Sequence, residues 1–232
     1  MAGRILWVLG AYLAGTLPST LIVARLRWNQ GGRALVAEAR RDTGELDPHI
    51  LMTARIGAAW SAFAAATDVL KAMVYLVAAR GLGDLPPSWL AACGVAIVLG
   101  HAFPFYAAHM SGRGLAAAAG VYLILLPWEM VVAGAVILLG LAVRNSGIAT
   151  TVAMLSVPFV AALQGQPAAY VAMGAAVFVL IVARRLEGIG AVIGSGVPAG
   201  RAVLYRVLLD ATAAPGGGTV AGHGEPTPPP VS

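Results

Sequence analysis

A succession of apolar segments, each closed by Arg, Gly or Pro, constrains this chain of 232 residues more than any motif it carries. Such segments cannot leave backbone groups unpaired in lipid, so helices are the form open to them. Ile5 to Ala24 has the length of a crossing, since a helix needs about 20 residues to cover the hydrocarbon core. Ile56 to Ala79, Trp89 to about Phe103, Leu115 to about Leu126, Met130 to Val143, Ile148 to Leu163 and Ala168 to Ala183 follow. Only 11% of residues are charged, against about 25% in soluble domains. The fold class expected is an all-α polytopic membrane helix bundle with about seven transmembrane helices.

Residues 115–143 decide the count. At 1.5 Å per residue, Leu115 to Leu126 covers only about 18 Å, and Pro127-Trp128-Glu129 interrupts it. With one crossing here, either the loop carrying Arg25, Arg27, Arg33, Arg40, Arg41 and Arg55, or the end carrying Arg184, Arg185, Arg201 and Arg206, falls outside. With two crossings both lie in the cytoplasm, as the positive-inside rule favours. The expected topology puts the N-terminus outside and the C-terminus inside, in the cell membrane. Residues 1–200 form one membrane domain. Residues 201–232 give a short amphipathic piece, Ala202 to Leu209, and a Gly/Pro-rich tail of disordered composition.

The net charge of +5 sits mainly at segment ends, which marks topology and leaves no nucleic-acid surface. Cys93 lies in an apolar run, where a free thiol is buried and inert. No cysteine and histidine cluster has the spacing of a metal site. No cofactor is expected.

Polar groups concentrate in Gly100-His101-Ala102-Phe103-Pro104 and in Ser111-Gly112-Arg113-Gly114. Glycine opens backbone angles that let several N–H groups face one point. Arg113 adds a planar fork of donors, and a helix starting near Gly114 directs its positive end there. Together they suit a phosphate or another anion; a plain inter-helix turn with a topology-marking Arg is the other reading. Inside the spans, Gly15-Thr16-Leu17-Pro18-Ser19-Thr20 is polar enough to bend the first or to face other helices. Asp68 and Lys71 share one helical face, as an ion pair or the wall of a polar cavity. His101 is placed to touch a ligand or to hydrogen-bond at a span end. His109 and His223 read as loop and tail residues.

These motifs, in this order, resemble the bacterial acyl-phosphate:glycerol-3-phosphate acyltransferases, the PlsY family. Gly100-His101-x-Phe103-Pro104 with Ser111-Gly112-Arg113-Gly114-Leu115-Ala116 resembles its G-H-x-F-P…G-G-K-G-V-A-T block. Gly15-Thr16-Leu17-Pro18 resembles G-S-I-P, Asp68-Val69-Leu70-Lys71-Ala72 resembles D-I-L-K-G, and Arg184-Arg185-Leu186-Glu187-Gly188-Ile189 stands where the family has R-H-R-E-N-I. The resemblance runs from about residue 8 to 195.

The resemblance implies a seven-helix membrane enzyme with its site facing the cytoplasm. It would transfer an acyl group from acyl phosphate to the 1-hydroxyl of sn-glycerol 3-phosphate, giving lysophosphatidic acid. Ser111, Gly112, Arg113 and Gly114 would form the phosphate loop, with Thr53 beside it. Arg55, Arg113 and Arg185 would be the cations of the reaction, and Thr16, Asp68, Lys71 and His101 would support them. Partners would be the two substrates and membrane lipids; neither oligomeric state nor acyl-chain preference is written in these motifs.

Departures from the pattern keep a second reading open. Where the family has G-S-G-N-x-G-A-T-N-x-x-R, residues 43–55 align easily only at Gly44 and Arg55, with Thr53 close by, and bring in Glu45 and Asp47. The family's His falls at Arg185 and its Asn at Gly188. Besides a divergent acyltransferase, the chain therefore fits a member that has lost catalysis and binds membrane lipids or a partner. A small-anion transporter shares the spans and has only Asp68 and Lys71 in its favour.

Overall fold

The computed structural model describes residues 1–27, 53, 56–106, 112–143, 145–194 and 196–209. Every regular element among them is helical. In chain order they are α1 (Ala2–Thr16), α2 (Ser19–Arg27), α3 (Ala58–Gly81), α4 (Pro87–Ala102), α5 (Leu115–Leu125), α6 (Pro127–Ala142), α7 (Ser146–Leu163), α8 (Ala168–Arg185), α9 (Ile189–Gly194) and α10 (Ala199–Leu204), which runs into a π-helical turn, Tyr205–Leu209.

Two of these, α3 and α8, are long and apolar enough to cross a membrane on their own. α4, α5, α6 and residues 147–163 of α7 are shorter apolar helices. The first expected span is broken in two. Pro18 has no N–H to donate and forces Leu17 out of the helical region, and Leu17 adopts φ −58°, ψ 119°. Pro127 opens α6 from its first turn, where a missing N–H is harmless, and so separates it from α5.

Sequence neighbours are not always the closest partners. α1 lies along α4, α3 along α5, α6 along α7, and α8 against both α4 and α7. Glycine makes the first two approaches possible. A side chain at Gly15 would run into the carbonyl of Ile97, one at Gly100 into that of Tyr12, and one at Gly120 into that of Val69. Small residues at such crossings let helix backbones touch, the main source of attraction where lipid removes the hydrophobic drive.

The core is apolar and closely filled, with Leu76, Ile97, Val98, Val121, Leu126 and Val177 buried. Cys93 is buried there as expected. The outside is apolar too: Leu6, Leu13, Val74, Val77, Leu138, Leu139, Phe159 and Val179 are exposed. A surface of that kind suits hydrocarbon and not water. The helix of the end piece begins at Ala199, three residues before the piece expected from sequence, and Tyr205–Leu209 packs on α7. The tail expected to be disordered, residues 211–232, lies outside the described residues.

Candidate functional site

Polar groups gather where the first span breaks. Lys71 Nζ donates to the carbonyls of Gly15 at 3.0 Å and Leu17 at 2.8 Å, the open end of α1. It also lies 2.6 Å from Asp68 Oδ1. Asp68 Oδ1 accepts in turn from Ser19 Oγ at 2.7 Å, in the first turn of α2. A cation thus stands at the negative end of one helix and an anion at the positive end of the next, the favourable arrangement for both dipoles. The pair expected on one face of α3 is therefore an ion pair that also ties the broken span together. Asp68 is 1% exposed and Lys71 11%, so little water weakens it.

His101, in the last turn of α4, completes the cluster. Its Nδ1 is 3.3 Å from Lys71 Nζ and 3.4 Å from Asp68 Oδ1. Its other ring edge lies against the glycine loop: an ideal Cβ on Gly112 would come within 2.7 Å of Nε2. Only glycine fits opposite that imidazole. Two residues on, Gly114 takes φ +88°, a left-handed angle that glycine adopts without strain. It caps α5 and is packed by Val98, Ala102 and Ile181. The loop is thereby seated between α4 and α8, with Arg113 half-buried between its two buried glycines.

These groups surround a small recess. Thr16, Ser19, Thr20, Asp68, His101 and Gly112 line it. Tyr106 closes one side and donates its hydroxyl to the carbonyl of Thr16. Thr16 itself donates Oγ1 to the Leu13 carbonyl at 2.7 Å. Interrupted helices that expose backbone groups toward a cavity are a recurrent way of building ligand sites inside membranes.

Of the residues expected from sequence, Thr16, Asp68, His101 and Gly112 line this recess, and Lys71 stands behind it, bonded to Asp68 and to the Gly15 and Leu17 carbonyls. Gly114 and Arg113 adjoin it through the loop. Arg185, expected among the cations at the phosphates, directs Nη1 elsewhere. It donates to Thr151 Oγ1 at 2.6 Å and to the Val207 carbonyl at 2.7 Å. Its neighbour Arg184 faces the Gly-His-x-Phe-Pro block, with its guanidinium carbon 5.7 Å from the Phe103 ring centroid. Arg184 also pairs with Glu187. Thr53 is exposed and does not line the recess. Arg55 and Ser111 lie outside the described residues, as do Glu45, Asp47 and His109.

Four participants were not among the site residues expected from sequence. Ser19 and Tyr106 border the recess, Tyr12 donates its hydroxyl to the Phe103 carbonyl at 3.0 Å, and Arg184 reaches the same Phe103. Of these, Ser19 lies in the polar stretch of the first span and Arg184 in the last of the motifs, whereas Tyr12 and Tyr106 stood in none. Among the described residues no group of His, Cys, Asp and Glu is arranged to hold a metal.

Comparison with known proteins follows the same lines. Residues 5–194 match the family model described as glycerol-3-phosphate acyltransferase. A glycerol-3-phosphate acyltransferase of Thioalkalivibrio sulfidiphilus is 35% identical, over 78% of this chain and 86% of its own length. One from Geotalea daltonii is 28% identical, over 82% of this chain and 93% of its own. Among solved structures, PlsY, an integral membrane glycerol 3-phosphate acyltransferase in its glycerol 3-phosphate form, superimposes with a TM-score of 0.67. It shares 23% identity and covers 82% of this chain and 92% of that one. A lysophosphatidic acid form of the same protein gives 0.65. The resemblance in the motifs and these matches meet in one statement: the chain belongs to the glycerol-3-phosphate acyltransferase family of integral membrane proteins.

Proposed function

We propose that this protein transfers an acyl group from acyl phosphate to the 1-hydroxyl of sn-glycerol 3-phosphate, releasing phosphate and forming lysophosphatidic acid. The observation that carries this reading is the polar recess at the α1–α2 break, faced by a glycine loop with Arg113. Both substrates are phosphorylated, so the site has to gather several negative charges. Backbone N–H groups of the loop, the positive end of α5 and the Arg113 fork supply donors for one phosphate. Arg55, where the family's loop ends in Arg, supplies the second cation, with Ser111 as a hydroxyl donor. Arg185 serves at a distance by holding the end of α8.

The chemistry asks little more. The hydroxyl oxygen attacks the acyl carbonyl, the carbon–oxygen bond to phosphate breaks, and phosphate departs with the proton. A good leaving group leaves positioning and charge stabilisation as the main sources of rate. The apolar exterior beside the recess suits an acyl donor that stays in lipid. Seven crossings, with the N-terminus outside and the loop, Arg184, Arg185, Arg201 and Arg206 in the cytoplasm of the cell membrane, agree with the distribution of charge.

The test is turnover by the purified chain in nanodiscs, with palmitoyl phosphate and glycerol 3-phosphate supplied and lysophosphatidic acid and phosphate followed together. Equal release of the two products is expected. Folded, monodisperse protein that makes neither would overturn the reading and leave a lipid-binding role.

A further inference from the structure

We infer that the end piece, residues 199–209, docks on the anionic phospholipid headgroups of the leaflet it adjoins, with Arg201 holding the phosphate and Val203 and Leu204 entering the acyl layer. The family model ends at residue 194, before this piece begins.

The polarity of the piece is inverted. Arg206 is 8% exposed, and its Nη2 donates to the Glu187 carbonyl at 2.9 Å, just past the end of α8. The Val207 carbonyl accepts from Arg185 Nη1 and from Thr151 Oγ1, both at 2.7 Å. The inner face thus carries a cation and a hydrogen-bonded carbonyl, with the buried Ala202 beside them. Outward, Val203 is 41% exposed and Leu204 54%. On a helix washed by water the charged face lies outside and the apolar face inside. The reverse order costs free energy in water and none in lipid, so the outer face is made for the boundary of the bilayer.

Arg201 decides which lipid. It is exposed, with its guanidinium carbon 5.6 Å from the Tyr205 ring centroid and Nε donating to the Tyr205 hydroxyl at 3.3 Å. No carboxylate among the described residues pairs with it. Both Nη groups therefore remain for an outside acceptor, and a planar fork suits the two free oxygens of a phosphodiester. Tyrosine favours the membrane–water boundary, and the stack keeps the cation at headgroup depth. Leu204 lies three positions on, on the same face of the helix, and reaches below it. A soluble phosphate would satisfy Arg201 and leave Val203 and Leu204 in water, whereas a headgroup on an acyl chain satisfies both. The preference for an anionic lipid is then about fivefold, the scale of one cation near a charged surface.

Native mass spectrometry of the full-length protein, released from nanodiscs of equal phosphatidylcholine and phosphatidylglycerol, tests this by counting retained lipid. The wild type is expected to retain phosphatidylglycerol about fivefold over phosphatidylcholine. Arg201→Gln is expected to lose that preference, and Arg25→Gln, which removes another exposed cation, to keep it. A polarity-sensitive label on Leu204→Cys gives a second readout, since Cys93 is buried and escapes the reagent in folded protein. Its emission should be that of lipid and shift further to the blue when phosphatidylglycerol is present. Equal retention of the two lipids by the wild type, or an unchanged preference in Arg201→Gln, would overturn the inference. So would a label that reports water in both lipids. An equal loss in Arg25→Gln would reduce the effect to net charge and overturn it too. If millimolar inorganic phosphate abolishes the phosphatidylglycerol preference, Arg201 binds a free anion and the lipid assignment falls. Failure of Arg201→Gln to fold would make Arg201 structural and overturn it equally.

Discussion

Lys71 and Asp68 hold one ion pair while serving opposite sides of one helix break: the lysine closes α1 and the aspartate, through Ser19, opens α2. Removing one partner leaves the other charge buried, at a cost of about 3–5 kcal/mol. Lys71→Met should therefore destabilise strongly. Adding Asp68→Leu should recover part of that loss, because the orphaned charge goes with it. The chain's single cysteine, Cys93, is buried, so the rate of its labelling by a thiol reagent during a thermal ramp reports unfolding in detergent. Additive losses in the double variant would refute the coupling.

Arg113→Ala should weaken use of glycerol 3-phosphate by roughly 10- to 100-fold in KM, the scale of one lost charge-assisted hydrogen bond. The melting temperature should hardly move, since Arg113 is only half-buried. Arg113→Lys should fall between, because it keeps the charge and loses the fork. Steady-state kinetics and the Cys93 ramp on the same preparations decide it.

The glycines are not equivalent. Gly100→Ala sets a methyl group against the Tyr12 carbonyl and should cost about 1–3 kcal/mol by overpacking. At Gly134 in α6, a methyl group would meet no atom within 4 Å among the described residues. Gly134→Ala should gain about 0.5–1 kcal/mol from helix propensity. Opposite shifts in the same assay are the expected outcome.

Arg185→Ala should loosen the C-terminal segment, because it removes the donor that reaches both Thr151 and the Val207 carbonyl. Trypsin should then cut at Arg201 and Arg206 several-fold faster than in the wild type, as cleavage follows local opening. Thr151→Val, which removes the Arg185 contact and the threonine's own bond to the Val207 carbonyl at 2.7 Å, should loosen the segment too, with the Arg185–Val207 bond left in place. Unchanged cleavage in Arg185→Ala would show that the segment is held by other contacts.

Glu129 is fully buried in the first turn of α6, and neither carboxylate oxygen has a hydrogen-bond partner among the described residues. A buried carboxylate in that position costs free energy that the helix end only partly returns. Glu129→Gln, nearly the same shape without the charge, should raise the melting temperature by a few degrees.

Much of this architecture was legible in advance because lipid permits so few alternatives. The apolar segments and their punctuation by Pro127 and Pro167 are chemical facts of the chain. A bend was one of two readings of Gly15-Thr16-Leu17-Pro18-Ser19-Thr20, and the full break at Pro18 goes beyond it. What holds the break could not be read, since Lys71 and Asp68 lie far along the sequence and their partners are backbone carbonyls and one serine. Arg184 and Arg185 show a different limit. Adjacent residues on a helix point about 100° apart, so two arginines at the end of α8 face different neighbours. No periodicity told which would meet the Phe103 side and which the C-terminal segment. The pairing of α1 with α4 was hidden for a simpler reason: the residues that permit it, Gly15 and Gly100, have no side chains to leave a pattern.

That pairing also has a temporal side. The ribosome delivers helices in order, and domains tend to form as their parts emerge. α1 reaches the bilayer long before α4 exists, so the surface around Gly15 has no mate while α2 and α3 are being made. The polar recess, which needs the end of α1, the middle of α3 and the end of α4 at once, is therefore assembled late, and a chain stalled before Gly100 lacks it.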